Sequence, residues 1–143
     1  MHMSEALIRI VYVSRNTIEG DEVDRSVECA KILESSRCRN SQNGITGALL
    51  FNGGFFAQVL EGPRSVIEGT LSRIEFDKRH DYLAVLSNRE VAHRVFEDWS
   101  MAELEMPTGA PKASLQVLLE RAFLSPPESG EELLDMMRSL VMR

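Results

Sequence analysis

The sequence lacks most of the features that common function classes require. It has 2 cysteines in 143 residues, too few for a usual structural zinc site. Lys and Arg number 16 against 22 Asp and Glu, and the net charge of −6 disfavours a nucleic-acid binder. No apolar run approaches the roughly 20 residues of a membrane helix, and the N-terminus has no secretory signal. We therefore expect a cytoplasmic protein that binds neither nucleic acid nor membrane.

Enzyme signatures are also missing. The sequence contains no Gly-rich phosphate loop, no dinucleotide-binding fingerprint, no Gly-x-Ser-x-Gly and no histidine pair at metal-ligand spacing. Cys29 and Cys38 lie roughly 13 Å apart if both are helical, too far for a disulfide. We expect two free thiols, no metal site and no catalytic activity.

The remaining pattern is that of one ordinary globular domain with a helical tail. Strand and helix signals alternate as strand, helix, strand, strand, helix, strand, strand, at residues 7–14, 22–36, 45–51, 55–60, 63–76, 82–91 and 99–104. Asp21 is the expected N-cap of the first helix, and residues 52–54 (NGG) give a hairpin signal. This order predicts an α+β, ferredoxin-like βαββαββ fold, with a five-stranded mixed sheet and two helices on one face.

The expected domain boundary follows residue 106. Residues 6–106 form the predicted domain, and 107–143 form a C-terminal extension with two amphipathic helices, one around Leu115–Ala122 and one around Leu133–Val141. Met136, Met137 and Met142 offer an adaptable apolar surface to a partner or a second copy. The structural alternative is that these helices simply cap the open face of the sheet, and the two roles can be combined.

Two polar side chains interrupt the apolar strands. Strand alternation places Tyr12 on the same face as Ile8 and Ile10, and Gln58 on the same face as Leu60. A buried carboxamide must satisfy both donors and its acceptor. The simplest interpretation is that Gln58 bonds the tyrosine hydroxyl or nearby backbone and merely packs, since a core tyrosine in a strand is common.

The first helix is apolar over more of its circumference than one sheet face requires. The apolar arc spans roughly 200° and is formed by Val23, Val27, Cys29, Ala30, Ile32 and Leu33. Its surplus could pack against the neighbouring helix or against a flat apolar ligand between the two helices, and these two interpretations are equally open.

Six short segments together resemble the BLUF domain, the blue-light sensors that use a flavin. The resemblance covers about residues 6–104, and its segments, each weak alone, are 9–14 (RIVYVS), 43–50 (NGITGALL), 56–62 (FAQVLEG), 73–74 (RI), 77–80 (DKRH) and 96–101 (FEDWSM). Their order and spacing make the combination specific.

The resemblance implies a photoactive pair, Tyr12 and Gln58, with Gln58 near the flavin N5 and C4 carbonyl. Asn40, which lies 18 positions before Gln58, would bond the same polar edge of the ring. Ile32 and Ile74 would clamp the ring from the two helices.

The remaining implied contacts are polar. Arg73 would lie at the pyrimidine carbonyl and Asp77 near the sugar-alcohol chain or ring edge, while Arg79 and His80 match the motif with less definite contacts. The structural alternative is that these arginines are solvated and that Asp77 and Arg79 form a surface pair of little energetic value. Arg39 stands where many members carry asparagine, and it would point outward or toward the flavin phosphate.

The implied function is blue-light reception by a non-covalently bound flavin. Light would drive electron and proton transfer from Tyr12, and rearrangement of the Gln58 amide would shift the flavin absorption to the red. Trp99 or Met101 would relay the change to a downstream protein or a homo-oligomer. FAD is the family's usual cofactor, although FMN or riboflavin would also fit. An adaptor of the same fold without a chromophore, and a small flavin-dependent redox enzyme, are the competing hypotheses.

Overall fold

The fold is built on one five-stranded sheet. The computed structural model describes residues 5–51, 55–97, 101–104 and 126–141. Its elements are β1 (Leu7–Asn16), α1 (Glu22–Asn43), β2 (Thr46–Phe51), β3 (Phe55–Pro63), α2 (Arg64–Glu75), β4 (His80–Glu90), β5 (Ala102–Leu104) and α3 (Pro126–Val141). The strand order is β4-β1-β3-β2-β5, with β2 and β5 parallel and the other neighbours antiparallel. The predicted α+β class, element order and mixed sheet are confirmed.

Helix α1 is longer than its apolar pattern predicts. The expected end is Ser36, and residues 40–44 are expected to form a turn, but the helix runs to Asn43. Its last two turns are polar and carry no hydrophobic periodicity, so the sequence pattern does not show that they are helical. They nevertheless place Asn40 on the buried side of the helix, at 3% exposure.

Both ends of α1 are capped. The Asp21 side chain accepts from the Asp24 amide at 2.9 Å, and the Asp24 side chain accepts from the Asp21 amide at 3.1 Å, which completes a capping box. The predicted N-cap is therefore confirmed. At the other end Gly44 adopts φ 71°, a left-handed conformation that glycine reaches without steric cost.

The two faces of the sheet carry separate apolar clusters. On one face Ile8, Ile10 and Tyr12 of β1 pack with side chains from α1 and α2, which include Cys29, Leu33 and Ile67. On the other face Val11 and Val13 pack with Leu133 and Met137 of α3, among others. Helices α1 and α2 therefore share one face, as predicted, and α3 covers the opposite face.

The apolar arc of α1 is only partly used. Cys29 and Leu33 are buried, but Val23 and Val27 are 70% and 51% exposed. Much of the apolar surface of α1 that exceeds what one sheet face requires is therefore exposed to solvent. Cys29 and Cys38 are both free, as predicted. Among the described residues, no helix has the length and apolar character that crossing a bilayer demands.

Helix α3 caps the sheet closely. Gly130 lies so near β4 that a Cβ there would approach the Leu86 Cβ and carbonyl oxygen to 3.2 Å. Met137 is fully buried against the sheet. The expectation that it offers an adaptable surface is therefore wrong, because the face of α3 that carries Met137 packs on the sheet. Met142, the predicted first tail helix and the 52–54 turn lie outside the described residues.

A buried ion pair holds the segment between β4 and β5. Glu61 of β3 is 0% exposed and accepts from Arg9 Nε at 2.9 Å, and also from the amides of Val95 and Phe96 at 2.8–2.9 Å. Arg9 also donates to the His93 carbonyl at 3.1 Å. The carboxylate thus fixes the chain that leads toward β5.

Candidate functional site

A half-enclosed cleft lies between α1 and α2, above the sheet face that carries Tyr12 and Gln58. Every residue expected to contact the cofactor lines it, together with Tyr12: these are Ile32, Arg39, Asn40, Gln58, Arg73, Ile74, Asp77, Arg79 and His80. The fold therefore brings together, from β1, α1, β3, α2, the turn after α2 and the first residue of β4, positions up to 68 apart in the sequence.

The floor of the cleft contains a hydrogen-bonded phenol and carboxamide. Tyr12 and Gln58 are direct partners in the antiparallel pairing of β1 with β3, and both are 4% exposed. The Tyr12 hydroxyl donates to Gln58 Oε1. Gln58 Nε2 donates to Met101 Sδ at 3.4 Å, so the amide is engaged at both ends. Sheet register, and not loop geometry, sets the placement of this pair.

Met101 lies inward, directly before β5. Its side chain is 1% exposed and belongs to the apolar cluster on the cleft side of the sheet. The fifth strand was expected from residue 99, whereas the described strand is Ala102–Leu104. Trp99, the other expected relay residue, lies outside the described residues.

The side chains of α1 that line the cleft follow helical spacing. Ile32, Ser36 and Asn40 succeed one another at intervals of four, and Ser35 and Arg39 form the adjacent row. Arg39 is exposed and lines the cleft, so its outward and cleft-facing alternatives are compatible.

The α2 side of the cleft ends in an ion pair. Arg79 donates to Asp77 through Nε at 2.9 Å and through Nη2 at 2.6 Å, and its backbone amide donates to the same carboxylate at 2.9 Å. Hydrogen bonds from Arg79 hold the pKa of Asp77 below its usual range. Asp77 is therefore ionised at neutral pH. A weaker contact, 3.7 Å, joins Arg79 to Glu28 of α1 across the cleft.

His80 closes the cleft beside the phenol. Its Nε2 lies 2.6 Å from the Ile74 carbonyl oxygen, which can only accept, so Nε2 carries a proton. Its Nδ1 lies 2.7 Å from Ser14 Oγ, and the ring meets that of Tyr12 edge-on with centroids 6.4 Å apart. The imidazole is thus fixed by β1 and α2 together.

A β-bulge delivers His80 to this position. Between the pairs Val13↔Ala84 and Arg15↔Asp81, β4 carries one more residue than β1. Within the extra length Tyr82 adopts φ 48°, a left-handed conformation that is uncommon for a non-glycine residue. Arg15 stacks on the Tyr82 ring at 4.5 Å.

Burial dominates the acid–base behaviour of the phenol. Removal from water, and then the negative charge of Asp77, raise the pKa of Tyr12 above its ordinary value of 10.0. The hydroxyl therefore keeps its proton throughout the neutral range, as a donor to Gln58 must.

This raised pKa gives a testable titration. In a Tyr82→Phe protein Tyr12 is the only remaining tyrosine. We expect no phenolate absorbance at pH 10 while the protein stays folded. The unfolded chain ionises near pH 10 and the folded chain does not, so the contribution of Tyr12 to stability falls as the pH rises above that value. Phenolate appearing at pH 10 before the far-ultraviolet circular dichroism changes would contradict the burial of Tyr12.

Several lining residues were not predicted from the sequence. They are Ser35, Ser36, Leu49, Phe56, Leu60 and Thr70. Helical spacing offers a signal for the polar ones, since Ser36 precedes Asn40 by four positions and Thr70 precedes Ile74 by four. Thr70 accepts from Arg73 Nη2 at 3.3 Å, which links this unpredicted residue to a predicted one.

The geometry defines a class of protein. Two apolar side chains, Ile32 and Ile74, come from facing helices, and polar side chains surround them on the floor and rim. In the part of the chain that the structure describes, no His, Cys, Asp and Glu cluster is suited to a metal ion. The site is a cleft in an α+β module, with apolar side chains from two facing helices and a buried phenol–amide pair on its floor.

Comparison with known protein families assigns the chain to one of them. Residues 7–102 match the family profile BLUF, described as sensors of blue light using FAD. The chain belongs to the BLUF family. The β subunit of photoactivated adenylate cyclase from Euglena gracilis is 28% identical over 113 residues, which are 79% of this chain and 13% of that protein. The chain thus spans about an eighth of the length of this curated relative.

Solved structures of BLUF proteins are similar to this chain in fold and sequence. BlrB, a BLUF protein in its dark state, is 31% identical with a TM-score of 0.72, and the match covers 96% of this chain and 98% of that one. BlrP1 of Klebsiella pneumoniae with FMN and cyclic diGMP is 30% identical with a TM-score of 0.64, over 80% of this chain and 30% of that one. The described residues therefore form a module of the BLUF family of blue-light flavin sensors.

Proposed function

We propose that this chain is a switch in which FAD, held without a covalent bond in the cleft, reports blue light through Tyr12 and Gln58. The observation that carries the proposal is the buried hydrogen bond from the Tyr12 hydroxyl to Gln58 Oε1 on the floor of the cleft. A packing role alone would not require that pair to face a cleft between two helices.

The donor set of the cleft fits a flavin ring. A flat tricyclic ring needs apolar contact on both faces, which Ile32 and Ile74 would supply from opposite helices. Its carbonyls and ring nitrogens need donors, which Asn40, Gln58 and Arg73 would supply. Asn40 is suited to this because its amide is held at 3% exposure by the last turn of α1.

The charged rim suits the remainder of the cofactor. Asp77 would bond the sugar-alcohol chain, because it is ionised and held in place by Arg79. Arg39 and Arg79 would offer positive charge to a phosphate. His80 would serve by fixing the shape of the cleft, since Ile74 and Ser14 hold its ring.

The mechanism follows from the protein groups. A bound flavin, when excited by blue light, supplies an acceptor strong enough to take an electron from a phenol. Tyr12 would be the residue that gives up this electron, and its hydroxyl would pass its proton along the existing hydrogen bond to Gln58 Oε1. Once electron and proton had returned to Tyr12, the carboxamide would be left with its donor end turned toward the cleft. Because both would return, the result would be a rearranged hydrogen-bond network and no chemical product.

The new amide orientation would change the contacts of the Met101 side chain. In the present arrangement Gln58 Nε2 donates to Met101 Sδ. If Nε2 turns toward the cleft, that contact is lost and Met101 must repack. The signal would leave through β5, whose residues Ala102 and Leu104 pack with α3 on the opposite face of the sheet. Trp99 would act with Met101 in this relay.

The output would be delivered to another protein. We assign the sensor to residues 6–106 and the relay to the extension 107–143, with a homo-oligomer and a downstream signalling protein as receivers. The net charge of −6 and the two free thiols accord with a cytoplasmic setting in which neither nucleic acid nor membrane is the receiver.

Flavin binding tests the proposal. The purified protein should be yellow, and the chromophore released on denaturation should be FAD in preference to FMN or riboflavin. An Asn40→Leu protein should bind FAD at least about 10-fold more weakly, because one side-chain hydrogen bond to a buried polar edge contributes about 1.4 kcal/mol. The matched control is Gln42→Leu, an exposed position in the same turn of α1. A colourless protein that refuses added flavin would instead support an adaptor.

A further inference from the structure

Arg37 stands apart from the residues that line the cleft, although it belongs to the same helix. It lies four positions after the buried Leu33, and the cleft lining does not include it. Its Nε donates to the backbone carbonyl oxygen of Met101 at 3.0 Å. The bond spans 64 positions of sequence and ties α1 to the residue whose sulfur contacts Gln58.

Met101 is therefore held at two points. Its side chain is fixed by burial and by the amide of Gln58, and its carbonyl is fixed by Arg37. The ladder between β2 and β5 begins only at Ala102, which pairs with Ala48. Met101 thus lies directly before the first paired residue of β5. At this position a side-chain hydrogen bond such as that from Arg37 has the most influence on where the backbone lies.

We propose that Arg37 is a positioning residue that holds Met101 against Gln58 in the dark and so favours return to the dark state. The inference rests on the proposed role of Gln58. If light turns Gln58 Nε2 away from Met101 Sδ, the side-chain restraint is lost and the Arg37 bond remains to keep the backbone of Met101 in reach. Recovery then needs no search for the original packing.

The test compares Arg37→Leu with wild type after a pulse of blue light. Leucine keeps helix propensity close to that of arginine but has no donor. We expect FAD binding and the light-induced red shift to be unchanged, and dark recovery to be slowed about 2- to 10-fold, the range that corresponds to one hydrogen bond. Arg37→Lys, which keeps a donor, should restore part of the rate.

A matched control is available on the same helix. Arg25 Nε donates to the Ile18 carbonyl oxygen at 3.2 Å, a bond of the same kind that touches neither Gln58 nor Met101. Arg25→Leu should recover at the wild-type rate. Equal recovery rates in Arg37→Leu and wild type would overturn the inference, as would a red shift lost in Arg37→Leu, since residue 37 would then act on the photochemistry itself.

A second readout separates this inference from the proposed function. With methyl-labelled methionine, the resonance of Met101 is the one that disappears in Met101→Leu. In the dark it should shift or broaden in Arg37→Leu and stay unchanged in Arg25→Leu, whether or not the protein responds to light. An unperturbed Met101 methyl in Arg37→Leu would refute the positioning role, while a missing red shift in wild type would refute only the photoswitch.

Discussion

Tyr12→Phe and Gln58→Leu proteins should bind flavin and show no red shift under blue light. Phenylalanine removes the electron and proton donor, and leucine removes the group that changes its hydrogen bonds. Both substitutions keep the approximate volume of a side chain that is 4% exposed, so the cleft should keep its shape. The expected loss of signal is complete, because no other tyrosine or glutamine among the described residues lines the cleft.

The controls use the same substitutions at exposed positions. Tyr82→Phe changes a tyrosine that is 70% exposed, and Gln42→Leu changes a glutamine at the surface of α1. Both should show the full wild-type shift. A normal light response in either Tyr12→Phe or Gln58→Leu would show that the altered residue has no part in the switch.

Glu61→Ala should have the largest effect on stability, about 3–5 kcal/mol of the free energy of unfolding. The substitution leaves the Arg9 guanidinium buried without its partner and removes the acceptor of the Val95 and Phe96 amides. Urea unfolding measures the loss. Because a ligand that binds the folded state stabilises it, both proteins must be compared at the same saturation with flavin.

The exposed pair Arg89–Glu131 provides the control. It has similar geometry, 3.2 Å, but its side chains are 58% and 55% exposed, so Glu131→Ala should cost no more than about 1 kcal/mol. A loss of that small size in Glu61→Ala would mean that Glu61 does not anchor the segment before β5. The double change Arg9→Met with Glu61→Leu should recover part of the stability, because no unpaired charge remains buried.

Much of the fold follows from local patterns in the sequence. The alternation in β1 separates Tyr12 from Val11 and Val13, and the structure places them on opposite faces of the sheet. The capping box at Asp21 also follows from a local pattern. The length of α1 does not, because its polar last turns have no hydrophobic periodicity, and their buried contacts, such as those of Asn40 and Arg37, are tertiary.

The residues of the site differ in how far the sequence predicts their positions and contacts. The pairing of Tyr12 with Gln58 is a matter of register, which alternation restricts to one face but does not fix. The resemblance supplied Asn40, which local patterns place in a turn, and Arg73 and Asp77, which solvent exposure and surface pairing with Arg79 would otherwise explain. Glu61 carries a signal in the sequence, because it is an acidic residue within the apolar strand β3. Arg37 carries none, since its partner is a backbone carbonyl 64 positions away.

The most direct test of the central claim is the absorption spectrum of the wild-type protein in the dark and under blue light. A rearranged Gln58 amide predicts a small red shift of the flavin bands that reverses in darkness. An unshifted spectrum, or permanent bleaching of the bound flavin, would contradict a switch formed by Tyr12 and Gln58.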